Sequence, residues 1–158
     1  MSDGIEELDV VIIGAGISGI SMAHQLGQDH PGLTYAIIES RQRVGGTWDL
    51  FRYPVIRSDS GMGTYAFSFR PWTGHRHFGT GPEIRSYLEE TAAEFGIDRH
   101  IRFGNRVTAA SWDSESARWT VTFQGSGEDE DQNQTKRIRC RFLVGCTGYY
   151  RYDRGFSP

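Results

Sequence analysis

Apolar and polar positions along the chain follow two different periods. The apolar run Val10 to Ile13 makes residues 9–13 a first strand. Behind it, Ile17, Ile20, Ala23 and Leu26 recur at helical spacing, which predicts a helix over 17–28 with those residues toward a sheet. His30-Pro31-Gly32 ends it. Thr34 to Glu39, TYAIIE, reads as a second strand, parallel to the first and reached by a right-handed crossover. Pro82 to Phe95 is a second helix, closed by Gly96, with Ile84, Tyr87, Leu88, Ala92 and Phe95 on one face. Ile101 to Phe103 is a short strand, and from there the period falls to two. Val107 to Trp112 is one strand; Trp119, Val121 and Phe123 face one way on the next, with Thr120 and Thr122 opposite. Gln124 to Lys136 is a hydrophilic hairpin loop. Arg137 to Cys146 returns as a strand whose FLVGC end suits a buried parallel position. The fold class is α/β: a parallel sheet with a βαβ start over 9–39, a helix at 82–96, and an antiparallel meander with a return strand over 101–148.

One stretch, 41–72, has little periodicity but carries Trp48, Phe51, Tyr53, Tyr65 and Phe67. A loop this long is functional or disordered, and the aromatics point to order. It is expected to line a ligand.

Composition narrows the classes. The 158 residues carry a net charge of −3 and no basic block, which disfavours nucleic-acid binding. No apolar run approaches the roughly 20 residues of a membrane span. The start, MSDGIEELD, lacks the features of a signal peptide. A cytoplasmic location follows as the expectation, with Cys140 and Cys146 reduced and fitting neither zinc nor CxxC spacing.

The chemistry begins where the first strand ends. Gly14-Ala15-Gly16-Ile17-Ser18-Gly19 is GxGxxG between a strand and a helix, the arrangement of a Rossmann-like dinucleotide fold. Gly14 permits the tight turn, Gly16 a close approach to a pyrophosphate, and Gly19 close helix–strand packing. The helix N-terminus then faces the phosphates. Glu39 lies 20 positions after Gly19, where an acid accepts hydrogen bonds from an adenosine ribose. Its charge opposes a 2′-phosphate, so the site is expected to hold FAD or NAD rather than NADP. Other patterns carry less. His75-x-His77 has no further ligands at metal spacing. Glu128 to Asp131 lacks the spaced oxygens of a calcium loop. Ser58, Asp59 and His100 lack a nucleophile elbow.

GAGISG with Glu39, GGTWDLFRYPVIRSDS, FSFRPW, GIDRHIRFGNRV and CTGYYRYDRGFSP together resemble the N-terminal part of the flavin-dependent class B monooxygenases. Among these the chain is most similar to the Baeyer–Villiger monooxygenases, in the subgroup that activates thioamide prodrugs. The resemblance implies tightly bound FAD, NADPH as reductant, and oxygen carried as a C4a-peroxyflavin to a ketone, thioether or thioamide. It implies that Gly14, Gly16, Ser18 and Gly19 hold the pyrophosphate and Glu39 the ribose. Gly46, Thr47, Trp48, Asp49 and Leu50 would line the FAD, with Val107 at the adenine and Thr147-Gly148 as the hinge. Arg57-Ser58-Asp59 would lie on the nicotinamide side. Asp59 would support catalysis by orienting an arginine that lies beyond residue 158.

There are departures. After RSDS the family usually runs Asp-Met-Tyr-Thr-Leu-Gly-Phe, where this chain has Gly61-Met62-Gly63-Thr64-Tyr65-Ala66-Phe67, and Val55 stands where glycine is usual. Members are about three times as long, consistent with a second nucleotide domain and a substrate region. The sequence shows no second GxGxxG and no Phe-x-Gly-x-x-x-His-x-x-x-Trp fingerprint. The expectation is an N-terminal part of an FAD-binding domain over 1–158, without the NADPH domain and inactive alone. The rival expectation is a non-catalytic FAD/ADP-binding module, or part of another two-dinucleotide flavoprotein.

Overall fold

A computed structural model describes residues 5–125 and 134–150. Six strands form one mixed sheet: β1 (Glu6–Ile13), β2 (Tyr35–Ile38), β3 (Ile101–Arg102), β4 (Asn105–Asp113), β5 (Arg118–Gly125) and β6 (Thr135–Gly145), in the order β3-β2-β1-β6-β5-β4. β1 runs parallel to β2 on one side and to β6 on the other, and β3 is parallel to β2. β5 is antiparallel to both β4 and β6. The return strand thus closes the meander and completes the parallel half of the sheet.

Helix α1 (Ile17–Asp29) follows the glycine turn and buries Ile20, Ala23 and Leu26, as its spacing predicts. With helix α4 (Gly81–Glu94) it covers one face of the sheet, where Val10, Ile12 and Ile37 pack against Ile84, Tyr87 and Leu88. The meander supplies the other cover: Val121, Phe123, Ile138 and Cys140 pack against Val11, Ala36 and Ile38. α4 begins one residue earlier than expected because Thr80 and Glu83 form a reciprocal capping box. Gly96, at φ 65, then turns the chain out of the helix.

Three expectations are adjusted. The FLVGC end of β6 is parallel but not fully buried, for α1 and α4 pack over β1 and β2 and leave Phe142 54% exposed. Arg141 lies over that ring instead, 5.6 Å from its centre. Phe95 caps α4 at the surface rather than in the core, edge-on to Phe69. The 41–72 stretch is ordered as expected but contains two one-turn helices, α2 (Thr47–Leu50) and α3 (Met62–Tyr65). The acidic run Glu128 to Asp131 lies outside the described residues, as does the RYDRGFSP end.

Candidate functional site

β1 connects to β2 on one side and receives β6 on the other, so a crevice opens at the carboxyl ends of these strands. A cleft of about 590 Å³ occupies that position. Its floor is the glycine turn. Gly14 has φ 105, and a Cβ there would collide with the Cys146 carbonyl, so β1 and β6 can converge only on glycine. A Cβ at Gly19 would strike the Gly14 carbonyl, which is why α1 can start so close to the strand. No side chain caps the α1 N-terminus and no acid stands in its first turn. Its free N–H groups are open to an anion in the cleft.

Glu39 stands just past β2 and is 5% exposed. Its Oε2 accepts the Ala15 N–H at 2.7 Å, and its Oε1 accepts the Arg41 N–H at 2.8 Å and the Ser40 hydroxyl at 3.3 Å. A carboxylate has about four acceptor positions. One remains on Oε2 for a ligand hydroxyl. The carboxylate therefore holds the glycine turn and presents an acceptor to the cleft at once. The first of these tasks gave no sign in the sequence.

The next wall comes from the loop. Gly45 N–H bonds the Ala15 carbonyl at 3.1 Å, laying Gly46 against Gly16. Thr47, Trp48 and Leu50 of α2 then line the cleft. Asp49 does not. It is buried and turned away, paired with Arg52 at 3.1 Å, Arg41 at 3.5 Å and Arg85 at 3.9 Å. Arg41 lines the cleft, so Asp49 bears on the site through that side chain.

Of the residues nominated from sequence, Gly14, Gly16, Ser18, Glu39, Gly46, Thr47, Trp48, Leu50, Val107, Thr147 and Gly148 share this one cleft. Gly19 lies beneath its floor. Arg57, Ser58 and Asp59 lie apart from its lining. Arg57 pairs as an isolated bridge with Thr80 and stands over Phe78, Ser58 is buried with no partner for its hydroxyl, and Asp59 is exposed. Tyr65 lines the cleft, as one of the aromatics of the stretch expected to line a ligand; Asn105, Arg106, Cys146 and Tyr150 also line it and were not singled out from the sequence. Arg106 and Asn105 could have been found as neighbours of Val107. The aromatic content of the loop marks Tyr65 as a group member, but which of those aromatics reaches the cleft is decided by the fold of the loop. Burial pushes the Cys146 thiol and the Tyr65 phenol up, so both stay protonated at neutral pH.

The pattern of the NAD(P)-binding Rossmann-like domain matches residues 12–90, half of the chain, and that of an FAD binding domain matches residues 77–151. The chain is 52% identical over 153 residues to the FAD-containing monooxygenase EthA of Mycobacterium tuberculosis. It is 47% identical over 154 residues to the probable FAD-binding monooxygenase AlmA of Acinetobacter baylyi. Each match takes in 97% of this chain and 30% of the relative, so the chain spans about a third of the length of these proteins. Among solved structures, an oxidized steroid monooxygenase bound to NADP superposes with a TM-score of 0.79 at 38% identity, over 90% of this chain and 26% of that one. The closed form of cyclohexanone monooxygenase does so with a TM-score of 0.79 at 32% identity, over 91% and 26%.

Proposed function

We propose, for a chain that belongs to the NAD(P)-binding Rossmann-like domain family, that it forms the FAD-holding part of an FAD- and NADPH-dependent monooxygenase. The observation that carries this reading is the cleft itself, where a glycine turn, an uncapped helix N-terminus and a carboxylate with one spare acceptor meet in a chain similar to FAD-containing monooxygenases. These groups suit the ADP half of FAD. The α1 amides take the pyrophosphate, Glu39 a ribose hydroxyl, and the backbone at Val107 the adenine. Thr47, Trp48, Leu50, Thr147 and Gly148 are left to face the other half. When bound, FAD would supply the redox chemistry, drawing hydride from NADPH and, with dioxygen, delivering one oxygen atom to a small substrate and the other to water; a ketone, thioether or thioamide is the class we expect. The chain's own residues bind, orient and exclude water. Asp59 and its neighbours Arg57 and Ser58 would act on the nicotinamide side, outside the cleft lining. No helix among the described residues is long and apolar enough to cross a membrane, and we place the protein in the cytoplasm.

The test is a thermal-shift and absorbance titration of the purified protein. FAD and ADP should both raise its melting temperature, and ADP bearing a 2′-phosphate should not, because Glu39 repels it. No shift with FAD or ADP overturns the reading. A second reading, a nucleotide-binding module without catalysis, is favoured by Arg57, Ser58 and Asp59 standing away from the cleft. NADPH-dependent oxygenation of a ketone or thioether by this chain would refute it.

A further inference from the structure

The cleft has two chemically distinct arms on either side of the glycine turn. On the β2 side stand Glu39, Arg41 and the 105–107 segment, tied together by Asn105 N–H to the Glu39 carbonyl and Gly104 N–H to the Arg41 carbonyl, both 2.9 Å. This arm is polar and charged. The other arm is reached along α2, which leaves the Gly16–Gly46 contact and leads to Leu50 and Phe51. Phe51 meets Tyr150 edge-on at 5.5 Å, which places this arm beside the end of β6. It is aromatic: Trp48, Tyr65 and Tyr150 line it.

Within that arm one bond joins two parts of the loop. The Trp48 indole N–H donates to the Tyr65 hydroxyl at 2.7 Å, with the rings 5.9 Å apart and at 89°. Tyr65 is itself held from below, for α3 is anchored by fully buried Met62, whose N–H bonds the His77 carbonyl at 2.8 Å. Without Tyr65 the indole N–H would face a half-buried wall with no acceptor. The Tyr65 hydroxyl, as acceptor, still carries its own proton, which it gives to no acceptor among the described residues. That proton is free for an acceptor on a ligand.

We infer that Tyr65 is the positioning residue of the aromatic arm: it fixes the Trp48 indole as a rigid wall and offers one O–H donor, so that this arm selects a dinucleotide whose second half is a planar ring with hydrogen-bond acceptors. The inference rests on the dinucleotide reading of the cleft. It divides the ligand between the arms, the ADP half depending on the glycine turn and Glu39, the ring half on the Trp48–Tyr65 pair. Fixing the wall before the ligand arrives lowers the ordering cost of binding.

Tyr65→Phe removes one oxygen and keeps the ring. Its affinity for FAD should fall about fivefold, the worth of a typical hydrogen bond, while its affinity for ADP stays at the wild-type value. The melting temperature without nucleotide should fall only slightly, because the half-buried indole N–H loses its acceptor, and one indole N–H resonance should shift in the proton NMR spectrum. In a Trp48→Phe background the same substitution should cost FAD binding much less, because the two residues act as a pair. Equal losses for FAD and ADP, or no loss for FAD, overturn the assignment. A wild-type protein that binds neither FAD nor ADP overturns the dinucleotide reading and the assignment with it.

Discussion

At Glu39 one carboxylate holds the fold and, under the proposed function, also takes the ligand. Its two backbone acceptances, from Ala15 and Arg41, tie the glycine turn to the start of the loop. Glutamine offers one acceptor oxygen where two are used, and turns an amide N–H₂ toward a backbone N–H. Glu39→Gln should therefore destabilise the nucleotide-free protein by about 2 kcal/mol, the scale of a hydrogen bond to a charged group, as read by urea denaturation. A residue serving only the ribose would leave that measurement unmoved. Val55 shows the opposite case. Tyr53 to Ile56 is a turn closed by Ile56 N–H to the Tyr53 carbonyl at 3.4 Å, with Pro54 in its first central position and Val55 in its second at φ 61. That position favours glycine, and a β-branched residue there is strained. Val55 is 91% exposed, so no packing offsets the strain. Val55→Gly should raise stability by about 1 kcal/mol in thermal denaturation.

At the scale of elements, α1 is locked to the loop and to α4 through one imidazole. His24 on α1 stacks on Phe69 at 3.5 Å and meets Phe95 edge-on at 4.6 Å. It is buried, and its Nδ1 has no partner. Desolvation holds its pKa below the ordinary 6.5, against the opposing pull of Asp29. The folded state thus favours the neutral ring. Its contribution to stability is present above pH 6.5 and is lost as pH falls through the lower folded value. The carboxylates held low by their partners, Glu6, Asp9, Glu83 and Asp113, start from 4.5 or 3.8 and lose their contribution only in more acid solution. The urea midpoint should fall between pH 6.5 and 5, and His24→Leu should flatten that fall. An unchanged slope in the variant would show that His24 is not its source.

For the whole molecule, the sheet joins a parallel half that makes the crevice to an antiparallel half that covers its other face. The sequence carries one glycine turn of the dinucleotide type. Titration should accordingly saturate at one FAD per chain. If the reductant is handled by residues other than these, NADPH added anaerobically to the FAD-loaded chain should leave the flavin absorbance intact. Bleaching by NADPH would show that this chain reduces its own flavin.

The strands, the two long helices and the glycine turn were legible in the residue pattern, because periodicity and steric demand are local. The apolar positions of α1 and β5 state their buried faces, and the spacing of GxGxxG and Glu39 brings both to one cleft. Val55 stood out only through the resemblance, as a residue where glycine is usual; its positive φ came from the structure. What depends on contact between distant segments was not legible. Asp49 stands within GGTWDL, yet it turns to three arginines because α2 is a single helical turn and only some of its side chains reach the cleft. Arg57 and Ser58 follow close in sequence but are drawn to Thr80 and Gly79 by the backbone pairing of that strip, and Asp59 goes with them. Tyr65 meets Trp48 across 17 residues of a stretch without periodicity. These contacts come from the folding of distant segments onto one another, since a loop has no repeating pattern to say which way its side chains face.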